Sequence, residues 1–291
     1  MTDRTRQLDF TDHSRKLASN RYVYAVVSRR SRGLSIGINL NPDKVCNFAC
    51  PYCQVDRTVP GGDRAVDLNV LSAELTSLLN LFSSGELWSV PPFDTAAPEF
   101  RRVNDIAFAG DGEPTSAREF PDAVSAVAGV RSAFGLSGVA LNLLTNATLF
   151  HRPKVTAGLE ALDAAGGEIW AKLDAGTAAW FARVDGTSLP FSRVLDNLTA
   201  AAKLRPIVLQ CMFHAIDGTG PSDDEITSWA GRIDDILKVG GMIRLVQVYS
   251  VARKPADPRV SPLPRSRLEE IAAAARAVVA SHGAATTVAV Y

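Results

Sequence analysis

The chain has 291 residues, 46% of them hydrophobic, with 31 Lys and Arg balanced by 31 Asp and Glu, and it carries four cysteines. That length can bury a large core, and one α/β unit with extensions is the better expectation than two separate domains. The balanced charge leaves no strong electrostatic footprint for nucleic acid or an anionic membrane, and every apolar run is broken well short of the roughly 18 residues of a membrane span.

Residues 1–32 are dense in Arg, Asp and Ser and lack an apolar signal core, so they read as an N-terminal extension of a cytoplasmic protein. From residue 33 onward short apolar strands alternate with amphipathic helices. Strands are predicted at Leu34–Asn41, Asp105–Gly110, Val139–Thr145, Glu168–Asp174, Ile207–Phe213, Met242–Tyr249 and Thr286–Val290. Helices are predicted at Val70–Phe82, Phe120–Phe134, Pro153–Ala165, Phe191–Lys203, Asp223–Val239 and Arg265–Ser281, from apolar residues recurring at three and four. Ser222 ahead of Asp223, Asp224 and Glu225 has the chemistry of a helix start. The Pro/Ser-rich connection Ser83–Arg102 is long for a structureless loop and suits a lid or a segment with small elements of its own. This organisation gives a core domain at 33–250 and a C-terminal loop, helix and strand at 251–291.

Strand–helix alternation argues for a parallel sheet, open or curled. Parity within the strands favours curling. Leu34, Ile36, Ile38 and Leu40 share one face of the first strand, while Ser35, Gly37, Asn39 and Asn41 share the other. Glu168, Trp170, Lys172 and Asp174 align, as do Gln210 with His214 and Gln247 with Tyr249. A sheet covered on both faces would read as continuous hydrophobic runs. One face packed on helices and one lining a polar cavity describes a partial (β/α)6 TIM-like barrel, with a C-terminal βα addition.

Three cysteines fall within eight residues, Cys46, Cys50 and Cys53, in a C-x3-C-x2-C loop that follows the first strand. Ligands on one short loop can converge on one metal centre, but three thiolates do not complete the closed set of a structural zinc site. They suit an iron–sulfur cluster with one iron left open. Zinc with a distant fourth ligand and a chance cluster of buried thiols are the alternatives. The second strand ends in Gly110-Asp111-Gly112-Glu113, where glycines permit close backbone approach to a ligand and an acid suits an ammonium group. Asn146, Lys172 and Asp174 close the third and fourth strands, where parallel α/β folds place ligands, and Gln210, Gln247 and Tyr249 stand near later strand ends. His214 can serve as an acid or base or as a satisfied structural histidine. Cys211, with parity opposite to Gln210, reads as a buried structural thiol. Arg29, Arg30 and Arg32, with Arg101 and Arg102, are the notable basic clusters and suit a phosphate-bearing partner or a solvated surface.

The C-x3-C-x2-C spacing with Tyr52 before the last cysteine resembles the signature of the radical S-adenosylmethionine (radical SAM) superfamily. The resemblance implies a 4Fe–4S cluster on the three cysteines, S-adenosylmethionine chelated at the open iron, and an electron donor such as a flavodoxin or ferredoxin. It also implies that Tyr52 packs near the adenine, and that Gly110, Asp111, Gly112 and Glu113 contact the methionine amino group. Asn146, Asp174 and Gln247 become cofactor contacts, and Lys172 and His214 candidate catalytic residues. The stretches Val27–Arg30, Gly33–Asn39 and Tyr52–Thr58 further resemble the wyosine-synthase-related branch, whose synthases modify a guanosine of transfer RNA. A second cluster would need further cysteines, and only Cys211 remains. The expected function is therefore single-cluster reductive cleavage of S-adenosylmethionine, as an oxidoreductase or transferase acting on a small molecule or a transfer-RNA base. A glycyl-radical-enzyme activase and a non-catalytic iron–sulfur sensor are the alternatives.

Overall fold

The computed structural model describes residues 20–28, 33–253, 255 and 257–291. Arg29, Arg30 and Arg32 of the first basic cluster lie outside the described residues. The elements in chain order are strands β1 (Val23–Ser28) and β2 (Gly33–Ile38), helix α1 (Leu68–Ser84), β3 (Val103–Phe108), α2 (Phe120–Ala133), β4 (Ala140–Thr145), α3 (Pro153–Ala164) and β5 (Glu168–Lys172). Next come α4 (Ala178–Asp185), α5 (Phe191–Leu204), β6 (Ile207–Met212), β7 (His214–Ile216), α6 (Asp223–Lys238), β8 (Ile243–Tyr249), β9 (Val260–Pro262), α7 (Arg265–Ser281) and β10 (Thr287–Val290).

Eight strands form one sheet in the order β1-β2-β3-β4-β5-β6-β8-β10, and β7 pairs with β9 separately. From β2 to β10 every neighbour is parallel, while β1, in the stretch expected as an N-terminal extension, runs antiparallel to β2. A single cavity is lined by residues of β1 to β6, β8 and the residue after β10, so the sheet curls around a lumen while its two edges stay unjoined. This is the partial barrel that the strand parity predicted. Leu34, Ile36 and Ile38 are fully buried, as are Leu71, Leu75 and Leu78 of α1, and burial on this scale dominates the folding free energy.

Local chemistry sets the ends of the elements. Asp67 caps α1 by accepting from Asn69 N and Val70 N at 2.9 and 3.1 Å, and Gly85 ends it with a φ of 80°. Ser222 caps α6 as its sequence foretold, accepting from Glu225 N at 3.2 Å. The 83–102 connection carries three short 3₁₀ turns that bury Leu87 and Phe93. Within it Arg101 is tied to the Ala96 carbonyl at 3.2 Å and sits over the Trp88 ring. Among the described residues no helix is long and apolar enough to cross a membrane.

Candidate functional site

A cavity of about 380 Å³ opens at the carboxyl ends of the strands and gathers most of the residues that the sequence singled out. Cys46, Cys50, Tyr52 and Cys53 line it from the loop after β2, and Gly110–Glu113 from the loop after β3. Asn146, Lys172, Gln210 and Tyr249 come to it from the ends of β4, β5, β6 and β8.

The cysteine loop has no regular secondary structure, so long-range anchors hold it. Ala49 N donates to the Asp185 carbonyl at 3.0 Å, and Thr187 Oγ1 to the Asn47 carbonyl at 3.1 Å. Gly186, with a φ of 57°, presses on Ala49 so closely that a Cβ there would meet its carbonyl oxygen at 2.3 Å. On the other side Asn47 donates to Thr148 Oγ1 at 2.6 Å and accepts from Asn146 Nδ2 at 2.7 Å. Lys44 spans the loop from within, its Nζ bonded to the carbonyls of Asp56 and Val59 at 2.7 and 3.1 Å.

The three thiols are free and half-buried. Burial pushes the Cys46 and Cys50 thiols up, and the Lys172 ammonium partly opposes this at Cys50. Among the described residues no three His, Cys, Asp or Glu side chains are gathered around the position of a single metal ion. Three cysteines lining one cavity, without a fourth cysteine or a histidine among the described lining residues, fit a cluster that keeps one iron open.

The Gly110–Glu113 segment has a structural part besides lining the cavity. Its glycines are required by contact with the chain's own loops. A Cβ on Gly110 would meet Asn39 Oδ1 at 2.3 Å, and one on Gly112 would meet the Val45 carbonyl at 2.2 Å. Asn39 binds both sides of the junction, accepting from Asp111 N at 3.1 Å and Asn41 N at 3.0 Å and donating to Asp111 Oδ2 at 2.8 Å. Glu113 is 2% exposed, and it accepts from Thr115 Oγ1, Thr145 Oγ1 and Asn146 N at 2.5, 2.6 and 2.7 Å. Burial raises its pKa, and these donors oppose the rise. Glu113 thus braces the end of β4 while forming part of the wall.

Behind the loop lies a buried polar knot. The Tyr52 hydroxyl donates to Asp174 and accepts from Lys172 Nζ at 2.8 Å, while Asp174 accepts from Met212 N at 2.8 Å. Burial alone would lower the Lys172 pKa, but Asp174 raises it on balance. Asp185, at the end of α4, sits within 3.4 Å of the same hydroxyl, and burial together with the Asp174 carboxylate pushes its pKa well up. Asp174 therefore lies behind Tyr52 and not in the cavity wall. Asn146 is in the wall, but its amide is already bonded to Asn47 and Thr148. His214 is 1% exposed, edge-on to Tyr52 at 5.0 Å, and outside the cavity lining. Gln247 lines a second, lower cavity and accepts from Gln210 Nε2 at 3.3 Å. The sequence reading missed Asp185, Asn47 and Arg57, the last of which lines the cavity with Nη2 3.9 Å from Cys53 Sγ. A polar residue inside the C-x3-C spacer was the available signal for Asn47.

No protein-family model matches the chain. It is 23% identical over 259 residues to a protein named GTPase Obg from Brachyspira hyodysenteriae, covering 88% of this chain and 33% of that one. It is 26% identical over 220 residues to a UPF0026 protein of Helicobacter pylori, covering 74% and 62%. The chain thus spans about a third and under two thirds of these relatives, and its sequence contains no G-x4-G-K-S/T phosphate loop. Among solved structures, Streptococcus suis SuiB bound to S-adenosylmethionine superposes with a TM-score of 0.59 at 12% identity, over 90% of this chain and 52% of that one. A radical SAM methyltransferase from Sphaerobacter thermophilus gives a TM-score of 0.59 at 13% identity, over 95% and 71%. With the curled parallel sheet and the cysteine loop at its carboxyl end already in place, these likenesses show that the chain has the fold of the radical SAM enzymes.

Proposed function

We propose that the chain is a radical SAM enzyme with one 4Fe–4S cluster held by Cys46, Cys50 and Cys53, served by an electron donor such as a flavodoxin or ferredoxin. Its substrate is a small molecule or a transfer-RNA base. The observation that carries this reading is the convergence of three free thiols and the Gly110–Glu113 segment on one cavity. When bound, the cluster and S-adenosylmethionine supply a 5′-deoxyadenosyl radical, formed by one-electron cleavage of the sulfonium, which takes hydrogen from the substrate.

The chain's own residues set the conditions for that chemistry. Asp111, Glu113 and Lys172 all line the cavity, so acidic groups and an ammonium stand around one chamber. The ends of an amino-acid zwitterion, ammonium and carboxylate, match this arrangement. Lys172 is held in place by Tyr52 and Asp174, so its charge is positioned before any ligand arrives. Phe48, Val55, Leu144 and Met212 supply an apolar lining that limits water near a reactive centre.

Anaerobic reconstitution should load about four irons per chain. Reduction with dithionite in the presence of S-adenosylmethionine should then release 5′-deoxyadenosine. A Cys50→Ala variant that kept both iron and release would overturn the reading, as would a purified chain holding one zinc and no labile sulfide.

A further inference from the structure

Below the cysteine cavity the lumen holds a second cavity, also about 380 Å³, and the two share Ala109, Leu144 and Gln210. Among the described residues its one charged side chain is the Asp105 carboxylate, which stands beside the amides of Asn142, Gln210 and Gln247. Asp105 accepts from Ser35 Oγ at 2.8 Å and Asn104 Nδ2 at 3.1 Å, both on its Oδ2. Asn142 is 6% exposed, and among the described residues its side-chain oxygen, itself buried, has no partner. Gln247 presents an oxygen that takes only the long 3.3 Å bond from Gln210. Among the described residues no lysine or arginine lines the chamber. The Trp170 ring forms part of the wall, with its N–H turned onto Glu168 Oε2 at 3.1 Å.

A ligand that supplies N–H groups here meets the Asp105 carboxylate and the Gln247 oxygen as acceptors. An anionic fragment would face Asp105 with no cation among the described lining residues to offset the repulsion. Val26 and Tyr291 line the same chamber from the unjoined edges of the sheet and are 39% and 42% exposed. The chamber therefore opens sideways, and a larger substrate can leave its remainder outside.

We infer that this lower chamber binds a planar fragment of the substrate that is rich in N–H donors, neutral or cationic, such as an amidine, an amino-heterocycle or a carboxamide. The inference deepens the proposed function by naming the substrate's chemical class. It rests on that reading for the chemistry and not for the binding.

The test uses the whole chain without iron or reductant, ¹⁵N-labelled at tryptophan, with benzamidine, benzamide and benzoate as probes. The Trp170 indole resonance is identified by its loss in a Trp170→Phe variant. Benzamidine should shift that resonance at the lowest concentration, benzamide at a higher one, and benzoate not at all. Asp105→Asn should weaken benzamidine about tenfold while changing benzamide little. The inference is overturned if benzoate shifts the resonance as readily as benzamidine, if no probe shifts it, or if Asp105→Asn leaves benzamidine unchanged. The unsubstituted chain with three probes decides the first two points, so a variant that fails to fold does not rescue the idea. Release of 5′-deoxyadenosine is measured separately on the reconstituted chain, and either result can fail without the other.

Discussion

Gly112 lies so close to Val45 that a methyl group on it would sit 2.2 Å from the Val45 carbonyl oxygen. The loop after β3 and the cysteine loop thus meet backbone to backbone, and the same methyl would approach Asn41 Cβ at 2.7 Å. Neither neighbour is a flexible chain end, so the loops must separate to accept it.

Gly112→Ala should accordingly move the cysteine loop while sparing the sheet. Overpacking of this kind costs about 1–3 kcal/mol, or about 2–6 °C in thermal midpoint for a chain of this size. Iron and sulfide retained after reconstitution should fall well below the unsubstituted level. Gly129→Ala is the control: its added methyl meets nothing within 4 Å, so both readings should be unchanged or the midpoint slightly raised. Equal iron in the two variants would refute the role given to this contact.

Arg131 ties three segments together from inside the protein. It is 4% exposed, and it donates to the Val139 carbonyl at 2.9 Å and to the Ala165 carbonyl at 2.5 Å. Among the described residues it has no carboxylate partner, and burial lowers its pKa. Arg131→Met would orphan two carbonyls, and relief of the buried charge offsets only part of that loss. The expected destabilisation is about 1–3 kcal/mol in urea unfolding at constant slope. Arg131→Lys should recover only part of it, because one ammonium cannot span both acceptors in the planar geometry of a guanidinium.

The fold was legible wherever periodicity had room to show. All seven predicted strands and six predicted helices appear, with ends displaced by a few residues. The strands β7 and β9 were missed because three residues each show no alternation, and β1 because it adjoins an Arg- and Ser-rich stretch. Helix α4 is eight residues long and lies between Gly176 and Gly186, which read as a loop. The cysteine loop was legible because its chemistry is local in sequence. The networks holding it were not, because Asn39 meets Asp111 across 72 positions and Tyr52 meets Asp185 across 133. Tertiary contacts of that range leave no spacing pattern to read.

His214 gives the chain a pH dependence with a definite sign. Burial lowers its pKa from 6.5 to about 4, with Asp174 partly opposing, and among the described residues neither ring nitrogen has a hydrogen-bond partner. A base that stays neutral when folded contributes stability present above the unfolded value, lost as pH falls from 6.5 toward 4. A shift of this size corresponds to about 3 kcal/mol. His214→Phe should flatten the unfolding free energy between pH 7 and pH 4 by about that amount. Since no hydrogen bond is broken, it should cost little at pH 7. An unchanged slope in urea titrations across this range would show that another group sets the acid limb.

Cys211 separates the structural thiol from the other three. It is fully buried on β6, and burial pushes its pKa well up, so it stays an unreactive thiol at neutral pH. It does not line the cavity that holds Cys46, Cys50 and Cys53. Cys211→Ala should keep the iron count and 5′-deoxyadenosine release of the unsubstituted chain and lose about 1–2 kcal/mol of stability to the small cavity it leaves. Cys50→Ala should show the reverse, with iron and release lost and the urea midpoint of the iron-free chain nearly unchanged. If Cys211→Ala also lowered the iron count while the chain stayed folded, a fourth thiolate would have to be placed in the metal site.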